Sequence, residues 1–238
     1  MADITTVLFD LDGTLLPMDQ DTFVGAYFSR LAAKMMAHGY DKDKLGRAIW
    51  AGTGAMVQND GQCTNEQTFW NTFCAMLGED VRGEEDYLTE FYRNEFQGVR
   101  EVCGHAPEAR DVVRGLKARG YRVVLATNPL FPTVATESRI RWAGLEPNDF
   151  DMITTFENSR YCKPSLAYYE DILTTLGVSG DACVMVGNDV DEDMIAERLG
   201  MKTFLLTDCL INKKGEDISK WAHGSFAELR EFLNMIAP

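Results

Sequence analysis

The feature that most constrains the fold is a regular alternation of apolar runs and helical segments after Pro107. Strands are predicted at residues 122–126, 152–154, 182–186 and 203–206, and helices at residues 107–119, 133–142, 165–176, 192–199 and 226–235. Strands that alternate with helices in this way form a parallel sheet that is covered by helices on both faces. The alternation therefore predicts an α/β protein.

The segment from about residue 18 to residue 96 differs from the rest of the chain in that it is rich in predicted helices and poor in predicted strands. Its helices are predicted at residues 21–37, 42–50, 64–77 and 84–96, and Thr64 and Gln67 have the spacing of a capping box. The apolar run at residues 4–9 precedes this segment and belongs with the later strands. We therefore expect a Rossmann-like core domain of residues 1–16 and 100–238, with an inserted all-helical domain of residues 17–99.

Polar residues follow three of the predicted strands. They are Asp10 and Asp12, Thr127 and Asn128, and Asn188 and Asp189. Ligands of open α/β sheets bind beyond the carboxyl ends of the strands. We therefore expect these three strand ends to meet at one site.

The segment Asp10-Leu11-Asp12-Gly13-Thr14 places two acids after the first strand. Side chains alternate along a strand, so Asp10 and Asp12 point the same way, and Gly13 is free to adopt the positive φ of a chain reversal. Two like charges side by side require a cation, a shared proton or open water between them. The alternative is that both acids cap an ordinary turn, since Asp and Gly are common turn residues.

Three later segments have the order and spacing that match this first motif. They are Thr127-Asn128 at a strand end, Lys163-Pro164 before a helix, and the acidic segment at residues 187–193. Each alone is typical of a turn, a surface lysine or a helix start. Together they resemble the haloacid dehalogenase (HAD) superfamily of phosphohydrolases, in a form with a helical cap inserted after the first motif.

The resemblance implies a role for each matching residue. Asp10 would be the nucleophile that attacks phosphorus and forms an aspartyl-phosphate. Asp12 would protonate the leaving oxygen and later deprotonate the attacking water. Thr127 and Asn128 would bind the phosphoryl group, and Lys163 would neutralise charge on the nucleophile and the phosphate.

The resemblance also implies a Mg²⁺ site, because oxygen ligands suit this ion. The Asp10 side chain, the Asp12 backbone carbonyl and an acid of the last motif would bind it. Members of the superfamily usually have Asp directly after the glycine of that motif, where this chain has Asn188 followed by Asp189. We expect Asp189 to bind the metal, with the Asn188 amide oxygen as the alternative. Asp193 would bind through water or orient the motif lysine.

Charge and composition limit the partners. The net charge of −14 argues against nucleic acid, whose phosphates are neutralised by Lys and Arg, and against an anionic membrane surface. The six cysteines form no CxxC pair, which is typical of reduced thiols in the cytoplasm. The expected partner is therefore a small phosphorylated metabolite, and Arg47, Arg139 and Arg160 are further candidate anion contacts.

These observations together predict a Mg²⁺-dependent phosphatase acting on a small phosphorylated metabolite. A haloacid dehalogenase is one alternative, but it attacks carbon and has no phosphate leaving group for Asp12 to protonate. A phosphomutase is harder to separate, because it uses the same core. A third alternative is a binding protein for phosphorylated metabolites that keeps the fold without turnover.

Overall fold

The computed structural model describes residues 3–236 and contains, within them, six β-strands and eight α-helices. In chain order these are β1 (Thr6–Phe9), α1 (Gln20–Ala37), α2 (Lys42–Val57), α3 (Asn65–Leu77), α4 (Glu85–Arg93), α5 (Pro107–Ala118), β2 (Arg122–Leu125), α6 (Thr133–Trp142), β3 (Met152–Ile153), α7 (Leu166–Leu176), β4 (Cys183–Gly187), β5 (Lys202–Leu206), β6 (Ala222–Gly224) and α8 (Phe226–Met235). Short 3₁₀ helices include Glu79–Glu84, Glu95–Val102 and Met194–Leu199.

The six strands form one parallel sheet in the order β3-β2-β1-β4-β5-β6. In its central register Phe9 lies between Leu125 of β2 and Val186 of β4. The residues that follow these three strands are therefore brought to the same edge of the sheet. The predicted α/β, Rossmann-like architecture is confirmed.

Both faces of the sheet are buried. Along β1, Val7 and Phe9 pack into a cluster that includes residues of α5 and α8, whereas Leu8 packs into a second cluster that includes residues of α7. All three side chains are fully buried. This explains why residues 7–9 of β1 are all apolar and why charged groups follow only where the strand ends.

The helices α1 to α4 occupy the segment between β1 and α5. The chain enters and leaves this helical segment at neighbouring positions: Met18 and Cys103 form an isolated antiparallel bridge, and the Gly104 N–H donates to the Pro17 carbonyl at 2.7 Å. Aromatic rings hold its helices together, such as Tyr27 against Phe91, with ring centroids 6.2 Å apart. The helical segment is thus joined to the sheet by two adjacent connections.

Local chemistry explains where several helices begin and end. The predicted capping box is present at α3, where the Gln67 N–H donates to Thr64 Oγ1 at 3.2 Å and the Thr64 N–H donates to Gln67 Oε1 at 3.1 Å. Helix α2 continues past its predicted end at residue 50, through Gly52. A Cβ at Gly52 would lie 2.6 Å from the ring of Phe69, so this glycine allows close packing of α2 on α3.

Candidate active site

Asp10 lies directly beyond the last residue of β1, at the carboxyl edge of the sheet. Its N–H donates to the Val186 carbonyl at 2.9 Å, which extends the pairing with β4 by one residue. Its carboxylate is nearly buried, and Oδ1 accepts a hydrogen bond of 2.9 Å from Lys163 Nζ. The pKa of Asp10 is raised to about 7, because burial and the charges of Asp193 and Asp12 raise it by more than Lys163 lowers it. The protonation state of Asp10 therefore depends on the balance between its burial and the charge of Lys163.

Lys163 is the most deeply buried cation at this edge of the sheet apart from Arg139, with 1% of its surface exposed. Its Nζ lies 2.9 Å from Asp10 Oδ1 and 2.6 Å from Asp193 Oδ1. Burial alone would lower the Lys163 pKa, but the two carboxylates raise it well above its usual value. The side chain is therefore an ammonium ion held between two acids.

Asp193 is positioned by the loop that follows β4. Its second oxygen, Oδ2, accepts the Asp189 N–H at 3.0 Å. A Cβ at Gly187 would overlap this carboxylate, so the glycine leaves the space that the acid occupies. The contact between Asp193 and Lys163 has the geometry needed to orient the ammonium group toward Asp10.

Asp12 has a different partner from Asp10. Its Oδ2 accepts a short hydrogen bond from Arg139 Nη1, while Oδ1 is buried without a partner among the described residues. Burial raises the Asp12 pKa, and the charges of Arg139 and Lys163 lower it in part. Gly13 follows with a φ of +84°, which reverses the chain after the second acid.

Arg139 is fully buried on α6 and is held on several sides. Its Nε donates to the Ala135 carbonyl at 3.4 Å, Nη2 donates to Thr136 Oγ1 at 3.3 Å, and the guanidinium lies 4.4 Å from the centre of the Phe131 ring. The sequence suggested this arginine only as an anion contact for substrate. In the structure its anion is Asp12.

The other two candidate arginines lie elsewhere. Arg47 on α2 and Arg160 before Lys163 are both exposed to solvent. Neither donates a hydrogen bond to Asp10 or Asp12, whose charged partners among the described residues are Lys163 and Arg139. That Arg47 and Arg160 contact an anion of the substrate stays a prediction.

Thr127 and Asn128 follow β2 at the same edge. The Thr127 carbonyl accepts hydrogen bonds from Thr154 Oγ1 at 2.7 Å and from the Tyr168 hydroxyl at 2.9 Å, which fix the turn. Asn128 Nδ2 donates to Glu192 Oε2 at 3.1 Å, and its Oδ1 is buried without a partner in the described part of the chain. Among the residues described, the end of β2 therefore has a free acceptor, Asn128 Oδ1, next to the loop that follows β4.

Asn188 and Asp189, the alternative metal ligands, have different surroundings. The Asn188 amide joins two loops, because Oδ1 accepts from Thr14 Oγ1 at 3.0 Å and Nδ2 donates to the Cys209 carbonyl at 2.7 Å. Asp189 Oδ1 accepts two backbone N–H groups of the following turn, at 2.8 and 2.9 Å. The surroundings favour Asp189 as the residue with a spare oxygen, Oδ2.

The acids at this edge of the sheet offer oxygen ligands for a divalent ion. Within residues 3–236, no three His, Cys, Asp or Glu side chains converge as an all-protein metal cage would require. Mg²⁺ does not need such a cage, because it is typically bound through one or two carboxylates and keeps several waters. Asp10 Oδ2 and Asp189 Oδ2 accept no hydrogen bond from other described residues. These oxygens, together with the Asp12 carbonyl, fit a hard cation.

A cavity of 1040 Å³ lies between the helical segment and α6, and Asp12 is one of its lining residues. The helical segment also rests on the loop that precedes Lys163. At the start of α3, the Asn65 N–H donates to the Ser159 carbonyl and the Glu66 N–H donates to the Phe156 carbonyl, both at 2.8 Å. The helices therefore form one wall of a cavity that Asp12 also lines. No helix between residues 3 and 236 combines the length and hydrophobicity needed to cross a bilayer.

Comparisons with known proteins identify the family. The model of the haloacid dehalogenase-like hydrolases matches residues 4–199. The ribulose-1,5-bisphosphate 5-phosphatase of Halopiger xanaduensis is 24% identical over 207 residues, which are 84% of each chain. A HAD phosphatase structure from Thermococcus onnurineus covers 97% of this chain and 98% of that chain, with a TM-score of 0.59 and 23% identity.

A 2-haloacid dehalogenase structure from Pseudomonas syringae pv. Tomato DC3000 covers 98% of this chain and 100% of that chain, with a TM-score of 0.62 and 19% identity. At these identities the two solved structures show a shared fold, whose members include both phosphatases and dehalogenases. The family model spans most of the chain and includes all four motif segments. The resemblance seen in the motifs is confirmed, and the chain belongs to the haloacid dehalogenase-like hydrolases.

Proposed function

We propose that this hydrolase is a Mg²⁺-dependent phosphatase that releases phosphate from a phosphorylated metabolite through an aspartyl-phosphate on Asp10. The observation that carries the proposal is the buried Lys163 ammonium between Asp10 and Asp193. A fixed cation beside a strand-end carboxylate is suited to a dianionic group that must approach another anion. The similarity to a curated sugar bisphosphate phosphatase agrees with this chemistry.

The charges explain why the site needs a cation in addition to the lysine. A carboxylate and a phosphate dianion about 4 Å apart repel each other by roughly 8 kcal/mol at an effective dielectric constant near 20. Lys163 offsets part of this repulsion. Mg²⁺ bound to Asp10, the Asp12 carbonyl and Asp189 would supply two more positive charges and balance the three negative ones.

The protein groups then divide the reaction between them. Lys163 holds the Asp10 carboxylate in place. One oxygen of that carboxylate attacks phosphorus, and the bond from phosphorus to the leaving oxygen breaks. Asp12 gives its proton to that oxygen, and the alcohol departs. Asp12 then takes a proton from a water whose oxygen attacks phosphorus, which frees Asp10 and releases inorganic phosphate.

Other residues support these steps. Thr127 and Asn128 would bind the phosphoryl oxygens from the end of β2, and Arg139 would orient Asp12. Residues 17–99 would act as a cap over a core of residues 1–16 and 100–238. Closure of such a cap excludes water, which strengthens the charge interactions in the site.

The test is phosphate release from a panel of phosphomonoesters, with Mg²⁺ and with EDTA. We expect release that depends on Mg²⁺ and falls to background in Asp10→Asn, while Asp208→Asn, an exposed acid beyond β5, keeps wild-type turnover. Halide release from haloacids without phosphate release would instead identify a dehalogenase. Transfer of the phosphoryl group back to substrate without free phosphate would identify a phosphomutase. Tight binding without either reaction would identify a binding protein.

A further inference from the structure

We propose that the substrate is the phosphomonoester of a largely apolar, ring-containing alcohol, whose leaving group occupies the 1040 Å³ cavity beside Asp12. The inference rests on the proposed phosphatase function and adds the chemical class of the leaving group. It is carried by the position, the wall chemistry and the size of the cavity.

The cavity lies on the side of the site where the leaving group would be. Asp12 is the residue that protonates the leaving oxygen, so the leaving group lies on the side of Asp12. Asp12 lines the cavity, whereas Asp10 and Lys163 do not. A phosphoryl group between Asp10 and Lys163 would therefore direct the rest of its substrate past Asp12 and into this space.

The wall of the cavity is largely aromatic. Eleven of its lining residues carry aromatic rings, among them Phe23, Tyr27, Phe69 and Phe131. Phe131 lies under the guanidinium that pairs with Asp12, and its ring is 5.2 Å from that of Tyr27 and 6.1 Å from that of Phe23. The part of the wall that lies closest to the chemistry is therefore built from rings.

Four polar side chains of the wall bond to one another in two pairs. The hydroxyl oxygens of Tyr27 and Tyr92 lie 3.0 Å apart, and Trp142 Nε1 donates to Gln97 Oε1 at 3.2 Å. A sugar or polyol would give up its hydrogen bonds to water on entering, and these groups would not replace them fully. An apolar leaving group loses no such bonds and gains from burial.

Arg141, Glu137 and Glu157 of the wall are engaged by neighbouring groups, whereas Arg93 and Arg100 also line the cavity without an ion pair to another described residue and are exposed to solvent. Arg141 pairs with Glu137 at 3.0 Å, and Glu157 accepts the N–H and hydroxyl of Thr133 at 2.8 and 2.9 Å. Neither arrangement offers a free cation for a second phosphate. Apart from these two solvent-exposed arginines, the wall is thus suited to an uncharged leaving group.

The size of the cavity exceeds what packing would leave by accident. Protein interiors contain few voids larger than a water molecule, and an apolar void of about 150 Å³ already binds benzene. At 1040 Å³, this cavity has room for a leaving group of several rings. Trp50 adds an exposed aromatic surface to the lining, stacked on Phe28 with ring centroids 5.1 Å apart and 59% of its own surface exposed.

The experiment compares kcat/KM for naphthylmethyl phosphate and glycerol phosphate with the Mg²⁺-loaded enzyme. Both are phosphates of alkyl alcohols, so their leaving oxygens differ far less in basicity than those of aryl phosphates would. Burial of the naphthyl rings should raise kcat/KM by about 10- to 100-fold over glycerol phosphate. The difference should appear mainly in KM, because the rings bind alike in the ground state and the transition state.

Trp50→Ala tests whether the preference comes from this cavity. The side chain is exposed, so its removal does not open a hole in the core, and the ratio of the two kcat/KM values should fall by about 3- to 10-fold. Met235→Ala is the matched control, because Met235 is also exposed and apolar but lies on α8, outside the cavity. It should leave the ratio unchanged.

The outcomes separate the inference from the function on which it rests. Equal or faster hydrolysis of glycerol phosphate would overturn the apolar leaving group and leave the phosphatase intact. A preference for naphthylmethyl phosphate that Trp50→Ala does not reduce would also overturn the assignment to this cavity. Absence of phosphate release from both esters, and from the wider panel, would overturn the phosphatase function itself.

Discussion

Replacement of Arg139 by methionine tests the least expected contact in the site. The guanidinium is fully buried and pairs with Asp12, and its other nitrogens are bonded to α6. Methionine fills most of the same space without the charge. Arg139→Met therefore leaves the Asp12 carboxylate in a buried position with no cation bonded to it.

The magnitude follows from the cost of an unpaired buried charge. Breaking a buried ion pair by removing one partner lowers the free energy of unfolding by about 3–5 kcal/mol. For a chain of this size, such a loss corresponds to a fall in Tm of about 6–20 °C. Arg141→Met is the matched control, because Arg141 lies two residues along the same helix but is exposed and pairs with Glu137 at the surface. Its replacement should lower the free energy of unfolding by less than about 1 kcal/mol.

The assay is urea unfolding of a double-mutant cycle made of Arg139→Met, Asp12→Asn and the combined variant. If the cost arises from the unpaired carboxylate, the double variant should recover about 1–3 kcal/mol relative to the sum of the single losses. Losses that add to within about 0.5 kcal/mol would refute the reasoning, because they would mean that the two side chains stabilise the fold independently. A Tm equal to that of Arg141→Met would refute it as well.

Three further predictions concern the turn, the metal and the acid. Gly13→Ala should lower the free energy of unfolding by about 1–3 kcal/mol, because its φ is +84° and its Cβ would overlap Asn188, whereas Gly25→Ala on α1, where a Cβ meets nothing, should raise it by about 0.5–1 kcal/mol. Asp189→Ala should raise the Mg²⁺ concentration for half-maximal activity more than Asn188→Ala does, and the reverse order would assign the metal to Asn188. Asp12→Asn should slow hydrolysis of alkyl phosphates far more than of activated aryl phosphates, and equal losses in the two series would contradict its role as the acid.

The alternation of strands and helices was enough to predict the sheet, because buried parallel strands are continuous apolar runs. β6 was missed, since Ala222–Gly224 is an edge strand with two exposed residues and no apolar run. The helix predicted at residues 84–96 is interrupted, and α4 ends at Arg93 before a 3₁₀ helix begins at Glu95. The predicted helix at residues 192–199 is a 3₁₀ helix at Met194–Leu199. Local pattern thus located the two helices but not their exact geometry, and it did not locate the edge strand β6.

Some features of the candidate site could likewise be predicted from the sequence, and others could not. Asp10, Thr127 and Asn188 each follow a strand, so topology alone brings them to one edge. The pairing of Arg139 with Asp12 joins residues 127 positions apart through the packing of α6, and no local pattern signals it. The aromatic cavity is equally a product of packing, because rings at helical spacing are typical of an ordinary core.

The most direct test of the account is detection of the phosphoryl group on Asp10. The Mg²⁺-loaded enzyme is mixed with a hydrolysed substrate, quenched in acid and digested, and the peptide that contains Asp10 is analysed by mass spectrometry. The account predicts a phosphoryl group on Asp10 that forms and decays at rates consistent with turnover and is absent in Asp10→Asn. Phosphate release at the full rate from Asp10→Asn, or a phosphoryl group on any other residue, would contradict it.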